Sequence, residues 1–180
     1  MNLAIRGHIR CVKDGVTFFE DKNLIVDQAL SVVIASLLDK SVTAAKSLFR
    51  CCVGSGGYVG TVRTVESDLW NTYTDLVMPI GSQDIDSQTV IWRPVPGILA
   101  IENEITVNAD DYLVGPSVTI DEIGLVAGVP PVLPILPTGV TFVSIAPGEY
   151  LFAYKTITQQ VLVAGESFKV YWNIYIGKEV

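Results

Sequence analysis

The sequence predicts a mainly β protein: an antiparallel β-sandwich with one buried α-helix near the N-terminus, at about residues 26–39. Three observations carry that expectation. Many short segments are rich in strand-forming residues, and glycine, proline, asparagine or aspartate separates most of them. Only one long segment carries apolar residues at helical spacing. The last segment, SFKVYWNIYIG, places Phe168, Val170, Trp172, Ile174 and Ile176 on one side, the period of a strand with one buried face.

In chain order, residues 2–12 (NLAIRGHIRCV) alternate. Leu3, Ile5, Ile9 and Cys11 point one way, and Asn2, Arg6, His8 and Arg10 the other, which predicts a half-buried strand. KDG at 13–15 is a turn signal, and VTFFE at 16–20 returns as a second strand. The helix is expected from about Val26 to Asp39. Ala29, Val32, Val33, Ser36 and Leu37 form one face, Leu30, Ile34 and Leu38 widen it, and Asp27 favours the positive end of the helix dipole.

SLFRCCVG (47–54) then reads as a strand, and ESDLWN (66–71) as one short helical turn with Ser67 as its cap. Further strands are expected in TDLVMPI, QTVIWRPV, GILAIENEITV, SVTIDEIGLVAG, VTFVSIA and YLFAYKTI. Such a succession of short strands suits an antiparallel sandwich or barrel. The segment GVPPVLPILPTG (128–139) holds four prolines and five aliphatic residues. Proline excludes a central strand while the apolar side chains call for burial. Two readings meet both demands: a loop packed on its own domain, or an arm docked on a neighbouring subunit.

The 180 residues suit one domain, 1–180, with no composition shift and no internal repeat. That length buries a core without disulfide or metal staples. With 49% hydrophobic and 17% charged residues and a mean hydropathy of +0.43, the chain is apolar for a soluble monomer. Some of its surface is therefore expected to lie against other chains, in a homo-oligomer. The net charge of −7, with the basic residues scattered, excludes a binder of nucleic-acid backbones. The longest apolar run, Leu24–Leu38, is interrupted by Asp27, Gln28, Ser31 and Ser36 and is too short and polar for a bilayer, so no membrane partner is expected. Met1–Cys11 carries Arg6, His8 and Arg10, which predicts no leader peptide. An odd number of cysteines, three, agrees with a cytoplasm-like compartment of synthesis.

The stretch that most resembles a reactive site is SLFRCCVGSGGYVGT, residues 47–61. Adjacent residues of a strand face opposite sides, so Cys51 and Cys52 do not jointly chelate a metal, and no CxxC accompanies them. They read as small buried residues. GSGGYVG lacks the Gly-Lys-Ser/Thr ending of a phosphate loop and a helix after it, and reads as a flexible turn. His8 is the only histidine, and nothing supports a triad through it. NADD (108–111), Asp121 and Glu122 lack the spacing of a calcium loop and read as surface turns, and Glu122 has no identifiable partner for a glycosidase-like acid pair. Trp70, Trp92, Trp172 and the tyrosines offer a sugar-binding platform or, more ordinarily, core and interface. No catalytic residue, cofactor or metal is expected.

Four stretches in order resemble a pattern of small structural proteins of tailed bacteriophages. They are KNLIVDQALSVVIASLLD, SLFRCCVGSGGYVGTVRTVESDLWN, TIDEIGLVAG and LFAYKTITQQVLVAGESFKVYWNIYIG, and the resemblance covers about residues 16–177. The chain departs from it at Val126, where the family usually shows an aromatic residue, and in the proline-rich insert that follows. The resemblance implies a non-enzymatic virion protein, made in the host cytoplasm and assembled as an oligomer with other virion structural proteins in the tail, neck, collar or baseplate. Val132, Leu133, Ile135 and Leu136 in the proline-rich segment are the expected subunit contacts. A capsid decoration or cement protein, and a carbohydrate-binding host-attachment module, are the alternative readings. A depolymerase-like enzyme lacks a defensible acid pair or nucleophile.

Overall fold

A computed structural model describes residues 3–26, 47–63, 76–93, 97–128 and 149–178. Its strands are β1 (Leu3–Lys13), β2 (Val16–Ile25), β3 (Ser47–Gly54), β4 (Tyr58–Val59), β5 (Val62–Arg63), β6 (Pro79–Asp84), β7 (Ser87–Arg93), β8 (Ile98–Asn108), β9 (Ser117–Gly128), β10 (Glu149–Val163) and β11 (Ser167–Lys178). A 3₁₀ turn, Ala109–Asp111, separates β8 from β9. The described residues are thus mainly β, and every strand pairing among them is antiparallel.

Nine strands form one sheet in the order β6-β3-β9-β10-β2-β1-β11-β8-β7, and β4 and β5 form a separate small hairpin. The middle of the long sheet is its weakest seam. β2 pairs with β1 from Val16 to Asn23, but with β10 only through Leu24 and Ile25, opposite Tyr154 and Ala153. So β2 hands the sheet from one half, β7-β8-β11-β1, to the other, β10-β9-β3-β6. Both halves contribute to one buried cluster. Ile9, Cys11, Ile105, Val107, Val170, Trp172 and Ile174 come from the first, and Cys51, Val53, Ile123, Leu125, Leu151 and Ile157 from the second. Each large apolar side chain so buried contributes about 1.5–3 kcal/mol.

Local chemistry explains the hairpin at the start. Asp14 and Gly15 have φ of 51° and 78°, the two left-handed residues of a tight hairpin turn, and Lys13 pairs with Val16 across it. β1 buries Gly7, Ile9 and Cys11 and turns Arg6 and Arg10 to solvent, as the alternation predicts. β11 likewise buries Phe168, Val170, Trp172 and Ile174 on one face. Phe18 meets the Phe168 ring edge-on at 5.4 Å.

The structure departs from the sequence reading in several places. The expected helix at 26–39 lies outside the described residues except for Val26. That residue lies buried just past the end of β2, its N–H donating to the Phe152 carbonyl at 3.2 Å. The turn at 66–71, the strand at 140–146 and the proline-rich segment, including Val132, Leu133, Ile135 and Leu136, also lie outside them. The TDLVMPI strand begins only at Pro79, because Val77 and Met78 give their amides to a carboxylate instead of a neighbouring strand. β10 runs well past YLFAYKTI, to Val163, by means of a bulge between Thr156 and Gln160. Gly128 and Glu149 are opposite neighbours, so β9 departs and β10 returns at adjoining positions.

Candidate functional site

β9 is buried from Ile120 to Gly128 without a break, as a central strand with both faces covered. Asp121 and Glu122 sit inside that run, 1% and 0% exposed. A carboxylate is buried only where hydrogen bonds replace its water, and here they do. Glu122 Oε1 accepts from the backbone N–H of Met78 at 2.6 Å and of Gly56 at 3.1 Å. Its Oε2 accepts from the N–H of Val77 at 2.9 Å and from the Tyr154 hydroxyl at 2.8 Å. Asp121 Oδ1 accepts from the N–H of Gly57 at 2.7 Å, and its Oδ2 from the Gln159 side chain at 3.1 Å. The bulge in β10 brings Gln159 to that position.

The glycines of GSGG are explained by the same contacts. A Cβ on Gly54 would lie 2.4 Å from Glu122 Oε1, and one on Gly56 would lie 2.8 Å from the same oxygen and 2.5 Å from the Val77 Cβ. On Gly57 it would lie 2.2 Å from the Asp121 carbonyl oxygen. Only glycine allows the loop this close to β9. The loop does bind anions, then, but the anions are the protein's own carboxylates. This overturns two expectations: GSGGYVG is a tethered loop, and Asp121 and Glu122 are buried anchors where surface turns were expected. NADD is a surface turn as expected, and its Asp110 accepts from the Gly165 N–H at 2.9 Å.

The cysteines lie where the strand period places them. Cys51 and Cys52 are fully buried on opposite faces of β3, and Cys11 is buried in β1; all three are free thiols. Burial pushes the Cys51 and Cys11 thiols far up, away from the reactive thiolate. No group of three or more histidine, cysteine, aspartate or glutamate side chains among the described residues could hold a metal ion. Near the mouth of the β9–β10 hairpin, Arg50 forms a buried ion pair with Glu149 and donates to the Ser82 hydroxyl at 2.5 Å.

His8 belongs to a different place. The solvent face of β7, β8, β11 and β1 carries two cross-strand rows, Thr89–Glu102–Asn173–His8 and Ser87–Glu104–Tyr171–Arg10. These side chains line a polar groove of about 360 Å³. His8 Nε2 is 3.2 Å from Glu20, and the Arg10 guanidinium lies 4.6 Å from the centre of the Tyr171 ring, covering the face a sugar would stack on. Of the three tryptophans, Trp172 is core, Trp92 is 62% exposed at a sheet edge, and Trp70 lies outside the described residues. Sequence reasoning singled out His8 but missed the groove, because its rows exist only once four strands are in register.

No helix among the described residues is long and apolar enough to cross a membrane. No family model matches the chain, and neither the curated proteins nor the solved structures searched include one similar to it.

Proposed function

We propose that this protein is a non-enzymatic structural protein that works by assembling with copies of itself and with other proteins, in the tail, neck, collar or baseplate of a tailed bacteriophage. The observation that carries this reading is the saturation of Asp121 and Glu122. The residues best placed for acid–base chemistry are taken up by backbone amides of the chain itself, and the glycine loop with them. The virion setting rests on the resemblance in sequence. Two of its stretches, VGSGG and IDEIGL, pack on each other as one unit, which supplies a physical reason for finding them together. The sheet that doubles back at β2 around one cluster supports a two-layer sandwich as the fold of this assembly unit. The proposed subunit contacts are Val132, Leu133, Ile135 and Leu136.

Mass measurement of the purified protein in native solution, together with proteomics of gradient-purified particles, tests this. The expected result is an oligomer, and a stoichiometric presence in particles. A monomer at high concentration that is absent from particles would overturn the reading. One second reading is a carbohydrate-binding attachment module that would use the hydrogen-bonding side chains of the polar groove, Glu102, Glu104 and Asn173, and not the Tyr171 ring, which Arg10 covers; a glycan array without hits removes it.

A further inference from the structure

The long sheet ends at two edges, and they are built differently. β6 opens with Pro79, ends on Asp84, and turns toward the other half, where its Gln83 side chain donates to the Thr106 carbonyl of β8. These are the usual devices that keep an edge from recruiting another strand. β7 shares these only in part: its Gln88 side chain donates to the Leu48 carbonyl of β3 at 3.3 Å, and it ends on Arg93. Its sequence, SQTVIWR, contains no proline, glycine or acidic residue, and its register with β8 is unbroken from Ser87 opposite Glu104 to Arg93 opposite Ile98. Among the described residues no strand pairs with its other side. Val90 and Trp92 are 60% and 62% exposed. They share the side of the sheet that carries Ile101, Ile174 and Ile176, so apolar surface that belongs to the core side reaches solvent at this edge.

We propose that β7 pairs antiparallel with β7 of a second copy of this chain, about a two-fold axis through Val90. This rests on the oligomeric reading above and locates its first contact. An edge of unpaired N–H and C=O groups is completed by another extended strand, and β7 is complementary to itself. Centred on Val90, the register sets Val90 against Val90, Thr89 against Ile91, Gln88 against Trp92 and Ser87 against Arg93, and all seven residues pair. Arg93 is the only charge, and it meets a serine, so no like charges face each other. A shift of one residue would set the core side of one copy against the solvent side of the other. A shift of two residues keeps the sides but leaves residues 87 and 88 or residues 92 and 93 unpaired. In the full register each Trp92 covers Gln88 and Val90 of the partner strand. Ser87 and Thr89 line the polar groove, so pairing also brings the two grooves together across the axis.

The test joins a cross-link to a charge substitution in the full chain. The native thiols are buried, so in Val90→Cys the new thiol is the accessible one and lies opposite itself at the axis. Mild oxidation is expected to give a covalent dimer on a non-reducing gel. Val161→Cys, equally exposed on β10, is expected to stay a single chain. Cross-linking of both at the same rate, or of neither, overturns the proposal. Val90→Lys sets two ammonium groups against each other and is expected to raise the self-dissociation constant about tenfold or more in native mass or sedimentation measurements. A wild-type oligomer that Val90→Lys leaves intact overturns pairing through β7 and leaves the oligomeric reading standing. A wild-type chain that is monomeric at high micromolar concentration overturns both.

Discussion

Replacing Glu122 by glutamine changes one buried oxygen to an NH₂ group and removes the charge, with almost no change of shape. The carboxylate accepts four hydrogen bonds, from the amides of Gly56, Val77 and Met78 and from the Tyr154 hydroxyl. The least costly orientation of the new amide puts its oxygen toward Gly56 and Met78. The Tyr154 hydroxyl then rotates to accept, and only the Val77 N–H is stranded. Stranding one buried donor costs about 1–3 kcal/mol, and reducing the remaining bonds from charge-assisted to neutral costs about 0.5–1 kcal/mol each. Relief from burying a charge offsets part of this. The expected loss is about 2–4 kcal/mol. With a urea m-value near 2 kcal/mol/M, the unfolding midpoint falls by about 1–2 M at unchanged slope. Amide exchange at Gly56, Val77 and Met78 accelerates more than at the β11 amides. A loss below about 0.5 kcal/mol, or a gain, would refute the anchoring argument. A gain would point instead to a catalytic role for Glu122, since removing a catalytic acid can relieve strain at an active site.

Three further outcomes follow from the geometry. Gly57→Ala forces a Cβ to within 2.2 Å of the Asp121 carbonyl oxygen, so it is expected to cost more than about 2 kcal/mol in thermal unfolding, while Gly115→Ala, which meets nothing within 4 Å, leaves the midpoint nearly unchanged. The three thiols are expected to react with a disulfide reagent at pH 8 only after unfolding, and Cys51→Ala or Cys52→Ala to cost roughly 1 kcal/mol of stability. The Lys13 ammonium and the Val163 N–H hold Glu166 below its usual value of 4.5. A lowered carboxylate stabilises the fold above its unfolded pKa, and the contribution is lost as pH falls through the folded one. Glu166→Gln should therefore flatten the acid limb of a stability–pH curve below about pH 4.5, and a curve that keeps its slope would count against the Lys13–Glu166 contact.

What could be read in the sequence was whatever local chemistry decides. Asp14-Gly15 announced its hairpin, the alternation of residues 3–11 and 168–176 announced two strands with buried faces, and the neighbouring Cys51 and Cys52 were correctly placed on opposite sides. The site was legible only in pieces. An acidic pair inside IDEIGL suggests solvent, because a charge is ordinarily hydrated. What reverses that is a set of backbone amides 44 to 66 residues away, and no local pattern reports them. The signal that was present is a correlation: glycines crowded at 54, 56 and 57 and carboxylates embedded in an apolar strand, each improbable alone and each explained by the other. The extension of β10 was hidden for a related reason. Thr158-Gln159-Gln160 looks like a break, but it is a bulge that delivers Gln159 to Asp121.

The opposition of Gly128 and Glu149, clamped by Arg50, gives the fold a fixed socket. Whatever chain lies between them must begin and end one strand spacing apart, and the sheet on either side is indifferent to its length. Closing a loop twice as long costs only about 0.6 kcal/mol more. A segment at this position can therefore be lengthened or pared back with the strand pairing on either side kept, so insertions made here are expected to be tolerated better than insertions inside β9 or β10.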